Sequence, residues 1–380
     1  MNGQSLFYSH DLNRGFLPRQ NPRQQFLICN KLHSQLCAIA NDLPQLLSQK
    51  ALRAKINQLN DAELISELNI EEEKHFAFLL LLMLTQAYIW EDPENPCAKI
   101  PAVLAKNIVL LSKRAQRLPT LTYADYILHN WKVIDPTQGF MLHNIEPIFS
   151  FTGSPDEAWF IKVHVAIEAN CGAALNAIYE ACIMPQNDQC LLDALKAMRT
   201  GLTQAIDFLA KMKEGCRPGY YWLTIRPYLK GWENVKDLTF EGLNPSYNID
   251  AYTGASGAQS SIIPALDAFL GIRHAASKDL LLNLYFRYMP KTHQALIHFF
   301  RENSVDKIVS ASSSEELKIA FTDAVRYLKL FRLAHVGLVS QYLLKPAEKL
   351  GISPHKVIGT GGTLVTDYLS ERCRTTVSRL

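Results

Sequence analysis

The sequence lacks a dominant charge. Its 39 Lys+Arg stand against 36 Asp+Glu, a net of +3, too small a surplus to draw the chain to nucleic acid. The densest basic cluster of the first half, Lys113, Arg114 and Arg117, reads as a solvated helix face. Any CxxC pair is missing as well. The eight cysteines (Cys29, Cys37, Cys97, Cys171, Cys182, Cys190, Cys216 and Cys373) have the spacing of neither a disulfide framework nor a thiolate metal cage. Reduced thiols in a cytoplasmic protein are the expectation. No apolar run reaches the roughly 20 residues that a membrane-spanning helix needs. The longest, 76–84 continued by 87–90, is interrupted by Thr85 and Gln86 and reads as a buried core helix. Residues 1–14 carry no signal-peptide pattern, so neither a membrane nor a nucleic-acid partner is expected.

Alternating apolar and polar runs, the mark of strands, are almost absent. With 48% hydrophobic and 20% charged residues, the composition is that of an ordinary globular protein, and 380 residues allow two domains or one large one. Helical periodicity recurs over 27–47, 51–68, 71–90, 100–115, 121–133, 155–171, 194–212, 262–270 and 315–344. The predicted class is all-α. Residues 1–22, polar and rich in Asn, Arg and Pro, suit an extended arm. A loop-rich stretch over 135–155 marks a seam, predicting a smaller helical part over 1–150 and a larger one over 151–380.

Two histidines fall on apolar helix faces. Leu328, Phe331, His335, Leu338 and Val339 share one face of the 315–344 pattern; Phe160, Val163, His164, Ile167 and Cys171 share one face of the pattern that opens at Pro155. A polar group buried without a partner costs about 1 to 3 kcal/mol. Each imidazole therefore calls for a backbone carbonyl, as in a core histidine, or for a metal, and spacing alone allows both. The 220–232 stretch gathers aromatic residues around one cation, Arg226. It suits a packed core with a surface ion, and equally a clasp for a flat ligand bearing a carboxylate, to which guanidinium offers a bidentate fork. Two small-residue loops, 252–261 and 359–363, would let backbone approach a ligand closely. The second has neither the Gly-Lys-Ser/Thr ending of a Walker loop nor the preceding strand of a dinucleotide fingerprint.

Taken in order, these segments resemble the indoleamine 2,3-dioxygenase family of haem enzymes. The resemblance lies in Leu121-Thr-Tyr-Ala-Asp125 with Asn130-Trp131, the helix from Phe160 to Glu168, and Arg226-Pro-Tyr-Leu-Lys-Gly-Trp232. It continues in Ser256-Gly-Ala-Gln-Ser-Ser261 followed by Asp267 and Leu270-Gly-Ile272, then Arg287-Tyr-Met-Pro290, His335 with Tyr342-Leu-Leu-Lys-Pro346, and Gly359-Thr-Gly-Gly-Thr363. It runs from about residue 118 to the last residues.

The resemblance implies a large helical domain binding haem b, capped by the smaller helical domain. His335 would be the iron ligand, with Arg332 and Asp267 paired behind it and Ser256 close to the cofactor. Phe160 would lie against the indole ring, Arg226 would hold the substrate carboxylate, and Thr360 would sit at the amino-acid end. Tyr123, Tyr126, Ile127, Tyr221, Trp222, Ser256 and Gly257 would line the pocket. The implied reaction adds O2 across the indole C2–C3 bond of L-tryptophan or a related indole, giving an N-formylkynurenine-type product, with an electron donor keeping the iron ferrous. Three departures bear on the substrate. His164 stands where mammalian members carry serine, Tyr221 and Trp222 replace two phenylalanines, and Tyr126 replaces a cysteine. A distal His164 resembles the tryptophan 2,3-dioxygenase arrangement, in which histidine contacts the indole N–H; here it would do the same or hydrogen-bond iron-bound dioxygen. One-oxygen insertion or rearrangement on the same haem, a non-catalytic haem or indole sensor, and a plain helical scaffold are the competing expectations.

Overall fold

The computed structural model describes residues 12–27, 30–60, 68, 71–244, 252–274 and 285–377. Its longer helices are α1 (Lys31–Asn41), α2 (Glu71–Trp90), α3 (Ala102–Ala115), α4 (Pro155–Asn170), α5 (Gly172–Ile183), α6 (Asp188–Ala210), α7 (Ile262–Phe269), α8 (Lys291–Glu302), α9 (Glu315–Val339) and α10 (Val365–Val377). Strands among the described residues are limited to two short ladders. Lys99–Ile100 runs parallel to Thr239–Phe240, and Lys132–Val133 antiparallel to Ile145–Glu146. The fold is all-α.

Local signals explain the helix starts. Ser154 accepts a hydrogen bond from the Glu157 amide at 3.2 Å, Pro155 takes the first turn, and Asp156 and Glu157 face the positive end of the α4 dipole. Asn187 caps α6 through the Cys190 amide, and Ser314 caps α9 through the Leu317 amide. From Phe76 to Trp90, α2 is buried on every side, as a helix apolar on nearly all its faces requires. It packs against α1, α3 and the turns at 124–128 and 226–229. In the other half α6 is the central beam: α4, α5 and α9 all lie against it, and α10 packs against α9. One apolar core includes residues from both sides of position 150.

Several expectations change in the structure. Leu12–Arg14 forms a turn, and Phe16 and Leu17 are buried, so this stretch is no extended arm; residues 1–11 lie outside the described residues. The fit is close enough that a Cβ on Gly172 would stand 2.1 Å from the Asn13 carbonyl oxygen. The 121–133 helix is shorter than its periodicity suggested. Ala124–Leu128 is wound as a π turn, and the chain then enters the Lys132–Val133 strand. The 51–68 helix is seen only as Leu52–Ile56, and 61–67 lie outside the described residues. Arg117 is not on a solvated face. Its guanidinium is buried against Asp125 at 2.8 Å, also donates to Thr122, and lies over the Phe78 ring. Among the described residues no helix is long and apolar enough to cross a membrane.

Candidate active site

Helices α4 and α9 both rest on α6, and between them lies a cavity of about 270 Å3, closed by the loops around 256–264 and 359–365. Its wall is largely apolar: Phe160, Ile167, Leu202, Leu209, Ile262, Ile263, Phe331, Leu338 and Val339 contribute. His164 reaches the cavity from α4 and His335 from α9. No group of three or more His, Cys, Asp or Glu able to hold a bare metal ion occurs among the described residues.

His335 has no hydrogen-bond partner among the described residues, and its pKa falls to about 4, chiefly through burial and secondly through the nearby His164. The imidazole is therefore neutral at physiological pH and keeps a free lone pair. One turn earlier on α9, Arg332 Nη2 meets both oxygens of Asp267, at 2.8 and 2.6 Å, while Nη1 donates to Thr376 of α10. His274 Nε2 lies 3.0 Å from the same carboxylate. Burial opposes ionisation of Asp267, but Arg332 and His274 outweigh it and hold the carboxyl below its usual range. This buried network ties the α9 segment bearing His335 to α7 and α10.

On the opposite wall, His164 Nδ1 lies 2.8 Å from the Phe160 carbonyl oxygen. Burial lowers the His164 pKa, the carbonyl bond partly opposing it, so this ring too is neutral. The Phe160 ring is tilted against His164 at a centroid distance of 4.3 Å and stacks on Tyr221 at 5.1 Å. Tyr123 approaches His164 edge-on at 6.1 Å.

Of the residues expected at the site, Tyr123, Phe160, His164, Tyr221, Ser256, Gly257, Asp267, Arg332, His335 and Thr360 all line this one cavity. Tyr126, Ile127, Trp222 and Arg226 do not. Tyr126 is buried behind Phe160, its hydroxyl donating to Glu157 at 2.8 Å, and Ile127 is packed in the core. Trp222 turns toward a small cluster of Ala347, Val357 and Val365, and the Arg226 guanidinium lies over its ring at 4.5 Å. Arg226 Nη2 donates to the Ile358 carbonyl at 2.6 Å, while its Nε is buried with no hydrogen-bond partner among the described residues.

Sequence reasoning gave no role to Glu168. It lies one turn after His164 on the cavity wall, completely buried. Its Oε1 accepts from Ser260 at 2.7 Å and Tyr123 at 3.0 Å, whereas Oε2 has no partner among the described residues. Burial pushes its pKa up to about 7 despite those two bonds. The available signal was one carboxylate in an otherwise apolar turn, four residues from His164.

The sequence profile described as indoleamine 2,3-dioxygenase matches residues 6–379. Human indoleamine 2,3-dioxygenase 2 is 32% identical over 351 residues, covering 87% of this chain and 85% of that protein. An indoleamine 2,3-dioxygenase of Aspergillus nanangensis is 30% identical over 391 residues, covering 96% and 94%. That of Saccharomyces cerevisiae is 28% identical over 417 residues, covering 95% and 90%. With this profile spanning nearly its whole length, the chain belongs to the indoleamine 2,3-dioxygenase family.

Proposed function

We propose that the substrate is L-tryptophan or a closely related indole amino acid, opened at the C2–C3 bond to an N-formylkynurenine-type product. Enzymes of this family are haem-dependent dioxygenases, and haem b is the cofactor. When bound, the haem supplies the ferrous iron that activates O2, and an electron donor must keep it reduced. The observation that carries the assignment of the site is His335: a neutral imidazole on an apolar cavity wall with no hydrogen-bond partner among the described residues. A core histidine would have its carbonyl; this one keeps a lone pair that no described residue engages. The residues present thus fit a planar iron macrocycle, with His335 as its ligand and the Arg332–Asp267 pair fixing the ligand's helix. Gly257 adds room, since a Cβ there would meet nothing within 4 Å.

The rest of the chain's work is orientation. The Nδ1–H of His164 is committed to the Phe160 carbonyl, which leaves Nε2 to accept a hydrogen bond from an indole N–H. Phe160 and Tyr221, already stacked, offer an aromatic face to the ring plane. The unpartnered Nε of Arg226 is available to a carboxylate once the side chain leaves Trp222. Thr360 donates its hydroxyl proton to the Ala255 carbonyl at 2.7 Å, so its lone pairs can accept from an ammonium group. In this arrangement residues 1–150 cap a haem-holding part formed by 151–380. The support is α2, whose Gln86 side chain bonds the Tyr228 and Lys230 carbonyls and the Trp232 indole. Among the described residues seven cysteines lie outside any disulfide, which suits a reducing, cytoplasmic setting.

The test is reduction of the haem-loaded protein without oxygen, addition of tryptophan and O2, and mass measurement of the product. Gain of two oxygen atoms is expected. Gain of one would replace this proposal with monooxygenation or rearrangement, and a ligand-dependent spectrum without turnover would make the protein a sensor.

A further inference from the structure

The 358–364 segment is a small hairpin. Ile358 and Leu364 form an antiparallel bridge, the Gly359 amide donates to the Thr363 carbonyl at 2.8 Å, and Gly362 closes the turn on Gly359 at a φ of +81°. Its inner side, with Thr360 and Gly361, lines the cavity, but its outer side has little packing: Ile358 is 53% and Leu364 41% exposed. Hydrogen bonds to other segments must therefore set where it sits. On one flank the Gly254 amide donates to the Thr360 carbonyl, and the Thr360 hydroxyl donates to Ala255. On the other stands Tyr285. Its ring is fully buried, and its hydroxyl donates to the Gly361 carbonyl at 2.8 Å and lies 3.0 Å from Thr363 Oγ1. The contact is tight: a Cβ on Gly361 would stand 3.0 Å from the Tyr285 ring and 3.1 Å from Ser256 Oγ. Any side chain there would have to push the ring and the hydroxyl back by a few tenths of an ångström.

We propose that Tyr285 is a positioning residue that clamps the 358–364 hairpin against the cavity, fixing Thr360 and, through the Ile358 carbonyl, the resting place of Arg226. Thr360 belongs to the hairpin itself and Arg226 is bonded to its Ile358 carbonyl, so loosening the hairpin displaces the two groups that meet the polar end of an amino-acid substrate. The ring system of the substrate, held by α4, is unaffected. The clamp itself stands on the contacts above; its effect on substrate rests on the assignment of Arg226 and Thr360 made under the proposed function.

The test is Tyr285→Phe, which keeps the buried ring and removes the hydroxyl. Amide hydrogen exchange in a peptide covering 357–365 of the haem-loaded protein, without substrate, is expected to quicken about tenfold or more for two lost hydrogen bonds, with exchange in α4 and α6 unchanged. KM for tryptophan should rise about fivefold or more on the same energetic scale, kcat should change little, and KM for an indole without carboxylate and ammonium should stay put. Thr363→Val, which removes one of the two hydroxyl contacts, should give a smaller shift of the same kind and serves if the first variant folds poorly. Unchanged exchange in 357–365 overturns the clamp. Faster exchange with an unmoved KM split overturns the positioning role. Wild-type protein that neither binds nor turns over tryptophan would defeat the functional assignment, while the exchange data would still decide the clamp.

Discussion

The Nδ1 of His164 lies 2.8 Å from the carbonyl oxygen of Phe160, one turn earlier on the same helix. A carbonyl only accepts, so Nδ1 carries the proton, and with the ring kept neutral by burial the other nitrogen is bare. A bare Nε2 on the cavity wall can receive an indole N–H but cannot donate. His164→Ala should therefore lower kcat/KM for tryptophan by about two- to tenfold, the range of one neutral hydrogen bond. Tryptophan methylated at the indole nitrogen should already be a poorer substrate for the wild type, and the variant should not discriminate between the two. An equal loss for both substrates in His164→Ala would mean that the side chain acts through packing alone.

His335 differs from His164 in having no carbonyl to satisfy it among the described residues. Its replacement by glycine should abolish stoichiometric haem binding, read as Soret absorbance per protein, and added free imidazole should restore part of it by occupying the vacated space. A histidine-type haem spectrum in His335→Gly without imidazole would contradict the assignment of the ligand.

The helix that carries His335 was legible because its apolar face repeats with helical period for twenty-five residues (Glu315–Val339). The same period put Phe160, His164 and Cys171 on a common wall, and all three line the cavity. Where the winding changes, periodicity misleads. Between Pro218 and Leu229 the chain passes from an α turn through a π turn at Tyr221–Ile225 to a 3-10 turn, and each change of hydrogen-bond span rotates the following side chains. Trp222 and Arg226 accordingly fall outside the cavity lining to which Tyr221 belongs. Arg117 was misread for a different reason. Basic residues next to a helix end usually face solvent, and only the fold brings Asp125 and Thr122 around it. Tyr285 was invisible because its partners, Gly361 and Thr363, are distant in sequence and no local pattern links them.

Arg226 has one donor on the Ile358 carbonyl and another buried and unused. Arg226→Ala should weaken binding of indole amino acids by about 2 to 5 kcal/mol, the range for truncating one partner of a buried charged contact. Indoles lacking a carboxylate should bind as before. Titration of both ligand types into the variant by difference absorbance checks this, and parallel losses would assign Arg226 to the hairpin rather than to substrate.

Asp267 holds Arg332 by two hydrogen bonds in a buried setting. Removing one partner strands the other, so Asp267→Ala should cost about 3 to 5 kcal/mol in denaturant unfolding, and haem affinity should fall about 10- to 100-fold as the ligand helix loses its anchor. Combining it with Arg332→Met removes the stranded charge and should recover most of the stability but not the affinity. Recovery of both would show that the pair serves folding alone.

Glu168 gives the chain a pH dependence that can be isolated. Its ordinary pKa is 4.5, and burial raises it to about 7 in the folded protein. Between those values the folded state binds a proton that the unfolded state has released, so folding is favoured at the acid end and loses stability as pH rises through the window. Full ionisation would leave a carboxylate whose Oε2 has no partner, the physical source of the loss. Glu168→Gln keeps an oxygen for Tyr123 and Ser260 and cannot ionise. The stability of the wild type relative to this variant should therefore decline by about 3 kcal/mol between about pH 4.5 and pH 7.5 and then level off. Denaturant midpoints of both proteins across that range measure the difference directly. A flat difference would mean that Glu168 already meets a cation or a water-filled path in solution, and the carboxyl would then be an ordinary ionised group.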